Sequence, residues 1–366
     1  MAAYRVAPSP EPRYERIRRE LAAAIGDGSL RAGAQIPSLP QLCERYAVSS
    51  ITARRAVLEL MKDGLVRQRP GRGIFVAERS RPRHAHVALV SVGFAPEWWR
   101  PSSEIFGQLA GGIASSVYVR DATLSVVPVD EAAQAPAALR KLLETQRIDA
   151  VLLRTAGDAD DALVASLRER EIPFVALKRP APAGGSAVST DDVAGSEAAT
   201  SHLLARGHAR IGLIVTTVSR AIYEAKIAGY RRAYEKARIP VDERLIVTAE
   251  RPVQRAGELC AAALLDRAQP PSAIFACSDN LALGVYDAAH KRRLRIPYDL
   301  AVVGFDDQDF AAHLNPPLTT LRVSYYELGR RAADLAFEAC EGAEPRVILL
   351  PVSLVVRDST QPYARV

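Results

Sequence analysis

Arg67, Arg69 and Arg72 crowd around Gly71 in the stretch Arg67-Gln68-Arg69-Pro70-Gly71-Arg72-Gly73. A basic cluster on a glycine-bearing tip suits an anion. Upstream stand Arg54 and Arg55, preceded by Ser49, Ser50 and Thr52. Small or polar residues at the start of a helix let its backbone approach a partner closely. A helix N-terminus favours phosphate, and arginine is the side chain that reads guanine with two hydrogen bonds. The chemistry on offer is nucleic-acid recognition. Catalytic constellations do not occur: there is no P-loop, no GxSxG and no HExxH, so an enzyme is not expected. His202 and His208 are six apart and His84 and His86 have no clustered partners. Asp306, Asp307 and Asp309 lack the following glycine and glutamate of a calcium loop. Neither metal nor cofactor is expected.

These groups sit in a chain of 366 residues, enough for two or three domains at roughly 100–200 residues each. With 48% hydrophobic and 25% charged residues the composition is that of a soluble globular protein. The charge is lopsided. Residues 1–86 hold 16 Lys and Arg against eight Asp and Glu, a net of +8, and the rest hold 32 against 34. An anionic partner is therefore expected for the first quarter alone. The four cysteines, Cys43, Cys260, Cys277 and Cys340, are scattered without a CxxC and read as reduced thiols. The start has no apolar export segment, and no apolar run approaches the ~18 residues of a membrane span. A cytoplasmic protein with no membrane partner is expected.

The apolar stripe Tyr14, Ile17, Leu21, Ile25 marks a first helix from Arg13, ended by Gly26 and Gly28. Ser38 with Gln41 has the form of a capping box opening a second helix. A third begins after Val48-Ser49-Ser50, buries Ala53, Val57 and Leu60, and stops at Gly64. Leu65-Val66 and Ile74-Phe75-Val76 flank the basic tip as a hairpin. Three helices and a wing define a winged helix-turn-helix over 12–77. Residues 78–86 have linker composition. From 87 to 360, apolar strands alternate with amphipathic helices. Strands are expected at 87–92, 123–128, 149–153, 173–177, 211–215, 245–248, 273–276 and 301–304, with helices at 104–119, 134–145, 160–170, 194–206, 223–237, 255–267 and 279–292. That order predicts an α/β region of two doubly wound parallel sheets, with ligand at the carboxyl ends of the strands.

Residues 12–77 resemble the DNA-binding domain of the GntR family. The matching stretches are YERI at 14–17, IGDGSLRAG at 25–33, IPS at 36–38, LCERYAVS at 42–49, TARRAVLELMKDGLV at 52–66 and GRGIFV at 71–76. Arg54 and Gly71 match family DNA-contacting positions. Two family arginines are replaced here, by Pro40 and Ser50, which bears on the operator sequence. Residues 86–358 resemble the periplasmic-binding-protein-like effector domain of the LacI/GalR family. Those stretches include KIAGYRRA at 226–233, FACSDNLALG at 275–284, DLAVVGFDD at 299–307 and PPLTTLRVSYYELGRRAADL at 316–335. The same pairing of modules is found in AraR-type arabinose repressors. The resemblance implies an N-subdomain of about 87–185 plus 322–342 and a C-subdomain of about 186–321 plus 343–360.

It also implies the roles of single residues. Ser38, Ser49, Ser50, Thr52, Arg54, Arg55, Arg67, Arg69, Gly71 and Arg72 would meet a double-stranded, palindromic DNA operator, bound by a homodimer. Asp306 would accept two sugar hydroxyls. Ser278 and Asp279 follow a strand end. Lys226 stands where the family usually has a ligand-contacting arginine, Arg154 where an Asn or Asp is common, and Lys178 where an Asp is common. Tyr325 holds an aromatic position in the third crossover, and Trp98 or Trp99 could stack on a sugar face. Three cations make an unusual wall for a neutral sugar, because a buried cation without an anion is costly. A sugar acid or sugar phosphate therefore competes with a neutral sugar as the effector. The expected function is a ligand-responsive transcription regulator, a repressor of a carbohydrate-utilisation operon. The rival is a solute-binding protein of a sugar transporter, which the basic winged domain opposes.

Overall fold

In the computed structural model of the chain, the residues described are 12–26, 29–31, 33–69, 72–77, 85–92, 104–129, 134–155, 161–182, 184–217 and 219–360. They fall into two compact units that divide at Ala85 and His86.

The first unit is the expected winged helix-turn-helix. Helices α1 (Arg13–Gly26), α2 (Leu39–Tyr46) and α3 (Ser50–Lys62) precede the hairpin β1 (Val66–Arg69) and β2 (Gly73–Val76). The predicted stripes become its core: Ile17 and Leu21 of α1 and Leu42 of α2 pack on Ala53, Val57 and Leu60 of α3, closed by Val66 and Val76. Ser38 and Gln41 form the capping box, the Ser38 amide donating to Gln41 Oε1 at 2.8 Å. Ser49 caps α3 by accepting from the Thr52 amide at 3.3 Å. Gly73 is required where it stands. Its φ is +113° and a Cβ there would fall 2.4 Å from Gln35 Nε2, the group that ties the wing by donating to Arg72 O at 3.2 Å.

The second unit alternates strand and helix: β3 (His86–Val92), α4 (Glu104–Val119), β4 (Thr123–Val129), α5 (Ala135–Thr145), β5 (Ala150–Thr155), α6 (Asp161–Glu169), β6 (Phe174–Leu177), β7 (Ser186–Thr190), α7 (Asp192–Leu204), β8 (Ile211–Thr216), α8 (Arg220–Ala237), β9 (Ile246–Ala249), α9 (Gln254–Leu265), β10 (Ala273–Ala276), α10 (Asp279–Lys291), β11 (Ala301–Val303), β12 (Thr320–Arg322), α11 (Tyr325–Cys340), β13 (Val347–Leu350) and β14 (Ser353–Val355). The strands form a six-stranded parallel sheet, ordered β13-β7-β6-β5-β3-β4, and a four-stranded parallel sheet, ordered β11-β10-β8-β9. A short antiparallel pair, β12 and β14, lies in the connections between them. Strands β3, β5 and β6 are almost wholly buried apolar runs, as parallel strands covered on both faces must be. Helices α4 and α11 meet through glycines. A Cβ on Gly112 would lie 1.9 Å from Tyr326 O, and one on Gly329 2.1 Å from Leu109 O.

Three boundaries are corrected. β7 pairs with β6, and β13 with β7, so residues 186–190 and 347–350 belong to the first subdomain and not the second. The crossovers therefore fall after Thr190 and after Leu350. His86 is the first residue of β3 rather than the last of the linker. Its ring nitrogen Nε2 lies 2.8 Å from Ser125 Oγ, a structural partner and not a metal. Among the described residues no cluster of three His, Cys, Asp or Glu side chains could hold a metal.

Candidate functional site

Several of the predicted DNA contacts of the unit 12–77 are exposed. Ser50, Arg54 and Arg55 on α3 are exposed, as are Arg67 and Arg72 on the wing. Of the other predicted contacts, Ser38 and Ser49 are engaged as caps, and Thr52 Oγ1 lies 3.0 Å from Ser49 Oγ. Arg55 lies across the Tyr14 ring, 3.9 Å from its centroid, and donates to its hydroxyl. Arg69 packs over Phe75 at 5.0 Å. Stacking stiffens both guanidiniums. Gly71 lies outside the described residues. Sequence reasoning passed over Ile51, an exposed apolar side chain between Ser50 and Thr52. The signal was there: Ile51 falls off the helix's buried stripe.

In the second unit, strand ends converge on one charged cluster. Arg154 is the next-to-last residue of β5, Lys178 follows β6, and Asp192 opens α7 just past β7. Asp192, past the crossover, belongs to the other subdomain, as do Lys226 of α8, Cys277 after β10, and Phe305 and Asp306 after β11. Tyr325 opens α11. Lys178 Nζ reaches both Asp192 oxygens at 3.1 and 3.2 Å and Thr190 Oγ1 at 2.5 Å. Lys226 Nζ donates to Cys277 O at 2.8 Å and stands 3.5 Å from the centroid of the Phe305 ring, with Lys178 Nζ 5.8 Å from the same ring. The Tyr325 hydroxyl donates to Asp306 Oδ1 at 2.6 Å. Arg154 Nη1 donates to Ser91 Oγ at 3.3 Å. Beside the cluster, the Asp309 amide donates to Glu104 Oε2 at 2.7 Å, joining the loop after β11 to the start of α4.

Electrostatics show how tightly these groups are coupled. Burial pulls the Arg154 guanidinium down to about 10, against the opposing influence of Tyr325. Burial raises the Asp306 carboxyl, with Lys226, the Tyr325 hydrogen bond and Lys178 pulling the other way. Burial also works to raise Asp192, but Lys178 and Lys226 outweigh it and leave its pKa below the usual carboxylate range. Burial holds the Cys277 thiol up at about 12, so it is no nucleophile. Two of the chain's positive-φ residues also lie here. Lys178 has φ +56° and Asp306 φ +115°, conformations that L residues adopt at a cost of about 1–3 kcal/mol and that gather at ligand sites.

One predicted contact has an internal task. Asp279 is fully buried, with Oδ1 accepting from Thr320 Oγ1 at 2.6 Å and Oδ2 from the Gln308 amide at 2.8 Å. Both oxygens hold the crossover in place, and burial raises the carboxyl well above its usual range. Ser278 is buried at the N-cap position of α10 without capping it. Trp98 and Trp99 lie outside the described residues. Asp192, Cys277 and Phe305 are the members that sequence reasoning missed.

A family model described as "Bacterial regulatory proteins, gntR family" matches residues 13–76, and one described as "Periplasmic binding protein-like domain" matches residues 200–360. The chain joins a GntR-type DNA-binding domain to a LacI-type effector domain. The regulator DegA of Bacillus subtilis (strain 168) is 29% identical over 343 residues, which cover 92% of this chain and 98% of DegA. The repressor CytR of Escherichia coli (strain K12) is 32% identical over 223 residues, 60% of this chain and 65% of CytR. A crystal structure of a LacI-family regulator from Enterococcus faecium with bound ribose superposes with a TM-score of 0.65 at 27% identity, covering 76% of this chain and 99% of that one. With a DNA reader at one end and a ligand-binding fold at the other, this two-module chain is a ligand-responsive transcription regulator.

Proposed function

We propose that this regulator is a cytoplasmic repressor, without enzymatic activity, that binds a palindromic operator as a homodimer and responds to a sugar or sugar acid held by Arg154, Lys178, Lys226, Asp306 and Tyr325. The observation that carries the effector site is the convergence of these side chains from both subdomains, with Tyr325 bonded to Asp306 across them. A ligand hydroxyl or carboxylate arriving there competes for the same donors. It thereby biases how the subdomains close, and a ligand shifts an equilibrium only through such a difference in contacts between states, typically by about 1–3 kcal/mol. Asp306 supplies a carboxylate that accepts adjacent hydroxyls. The cations supply donors that suit a carboxylate or phosphate. Among the described members of the cluster, Arg154, Lys178 and Lys226 bring three cationic donors to one place, which favours an acid over its neutral parent.

The DNA side is assigned to Ser50, Thr52, Arg54, Arg67 and Arg72, with Ser49 presenting the amides of the first turn of α3 and Arg55 and Arg69 as stacked flanking cations. A thermal-shift screen of neutral sugars, uronates, aldonates and sugar phosphates tests the effector side, each hit then being added to an operator-binding assay. Acids are expected to raise the melting temperature more than their neutral parents and to change operator affinity. Equal or tighter binding of the neutral sugars removes the preference for acids. Hits that leave operator affinity untouched remove the regulatory role.

A further inference from the structure

We infer that Ile51 is a specificity-determining residue that reads the 5-methyl group of a thymine in the major groove. The inference rests on the assignment of α3 as the DNA-reading helix. Ile51 is the second residue of α3 and is 80% exposed, while the opposite stripe, Ala53, Ala56, Val57 and Leu60, is buried. Its fold-stabilising role is therefore small, and its neighbours are those of a groove-entering turn. Ser49 caps the helix, Ser50 and Thr52 flank Ile51, and Arg54 and Arg55 stand three and four residues on, on the same face. That face is lined by Ile51, Arg54, Arg55, Leu58, Glu59, Met61 and Lys62 as one shallow hollow. The occupant is fixed by charge: this face carries three cations against Glu59, it belongs to the segment with a net charge of +8, and a helix N-terminus favours phosphate.

Within a major groove, an aliphatic side chain can gain from one base feature only. Thymine alone presents a methyl group there, and the remaining base edges are donors and acceptors that an isoleucine cannot satisfy. Arg54, one turn along, supplies the polar half of the readout. Leu58 is half exposed on the same face, but it lies about 10 Å further along the axis than Ile51 at 1.5 Å per residue, beyond the turn that meets base edges. The pairing of Ile51 and Arg54 therefore specifies a thymine beside a guanine in each half-site.

The test uses the full chain and duplexes it selects from a random pool. Each thymine of the selected site is replaced in turn by deoxyuridine, which lacks only the methyl group, and dissociation constants are read by fluorescence anisotropy. The wild-type chain should bind about fourfold more weakly when one thymine of a half-site is replaced, and roughly fifteenfold when its symmetry mate is replaced as well, as burial of one methyl at about 0.8 kcal/mol implies. Ile51→Ser should bind thymine and deoxyuridine duplexes equally, and Ile51→Val should keep part of the discrimination. The inference is overturned if no thymine is sensitive, or if Ile51→Ser discriminates as the wild type does. If Ile51→Ser weakens both duplexes alike and changes the oligomeric state on a sizing column, the side chain meets a second copy of the chain instead, and the inference also fails. Failure to select any duplex removes the DNA-reading assignment itself, an outcome distinct from selection without methyl sensitivity.

Discussion

The same side chains are used in opposite ways at the two ends of this molecule. In the reader, Arg54, Arg67 and Arg72 are exposed. In the sensor, Arg154 and Lys226 are buried and fixed by Ser91, by the Cys277 carbonyl and by the Phe305 face. Exposed cations interact with a polyanion through counterion release, which is strong in sum but falls with salt. Buried cations are desolvated, so each contact depends on its partners being in place. The difference teaches where specificity and where bulk attraction reside. Substitutions should separate the two: stability and effector response at one end, salt-dependent affinity at the other.

The largest effect is expected at Lys226. Lys226→Met removes the ammonium that faces Asp192 and Asp306 while keeping an apolar contact with Phe305. Leaving buried carboxylates undercompensated costs about 3 kcal/mol, read as a lower urea midpoint for the effector domain, and the effector should no longer shift the melting temperature. An unchanged midpoint would mean that the carboxylates find solvent or another cation. In contrast, Arg54→Ala should leave the urea midpoint within about 0.5 kcal/mol, as for an exposed site, and weaken operator binding by about 1–3 kcal/mol. Replacing Arg67 and Arg72 together by glutamine should weaken all duplexes alike and reduce the slope of log affinity against log salt by roughly four for the dimer, two per half-site. A stability loss at Arg54, or an unchanged salt slope for the wing variant, breaks the contrast between the two ends.

A smaller effect, and one with a pH signature, belongs to Asp306. Its folded pKa is raised, chiefly by burial. The stability tied to such a group is fully present below the usual carboxylate pKa and is lost as pH rises through the raised folded value. At neutral pH the charged carboxylate is therefore a liability of the unliganded protein. Asp306→Asn, which keeps an acceptor and tolerates φ +115° better than most residues, should raise the melting temperature at pH 7 and abolish effector binding. The gain should vanish toward pH 4. A variant less stable than wild type at neutral pH would show that the Tyr325 and Lys226 contacts outweigh desolvation.

Most of the fold was legible because its elements are strongly periodic. The expected helix at 104–119 and strand at 273–276 match α4 and β10 to the residue. Some of the strands that went unread carry little apolar pattern. β7 reads Ser-Ala-Val-Ser-Thr, and β12 and β14 have three residues each, so their pairing is fixed by the sheets they join rather than by their own composition. The site was half legible. Charged residues after strand ends could be named one by one, but Asp192 looks like half of a helix cap beside Asp191, which does cap α7. Phe305 looks like core. Their meeting with Lys178 and Lys226 depends on how two subdomains close, and no local pattern encodes that. Ile51 was missed for a different reason: polar residues were sought in the reading helix, so an apolar one off the buried stripe carried no weight.

The smallest expected effect compares two serines in the same position of two helices. Ser49 stands at the N-cap of α3 and accepts from the Thr52 amide, whereas Ser278 stands at the N-cap of α10 and makes no cap bond. Ser49→Ala should cost about 1 kcal/mol of helix stability and Ser49→Gly only a few tenths. The loss should appear as roughly fivefold faster hydrogen exchange of α3 amides, with the amides of α10 unchanged. Because the first turn of α3 also presents its amides to phosphate, Ser49→Ala should weaken operator binding without altering which bases are selected. Ser278→Ala should do the reverse, leaving α10 protection intact and lowering effector affinity. If Ser278→Ala frays α10 instead, its hydroxyl is structural and the polar border of the effector site is one residue smaller.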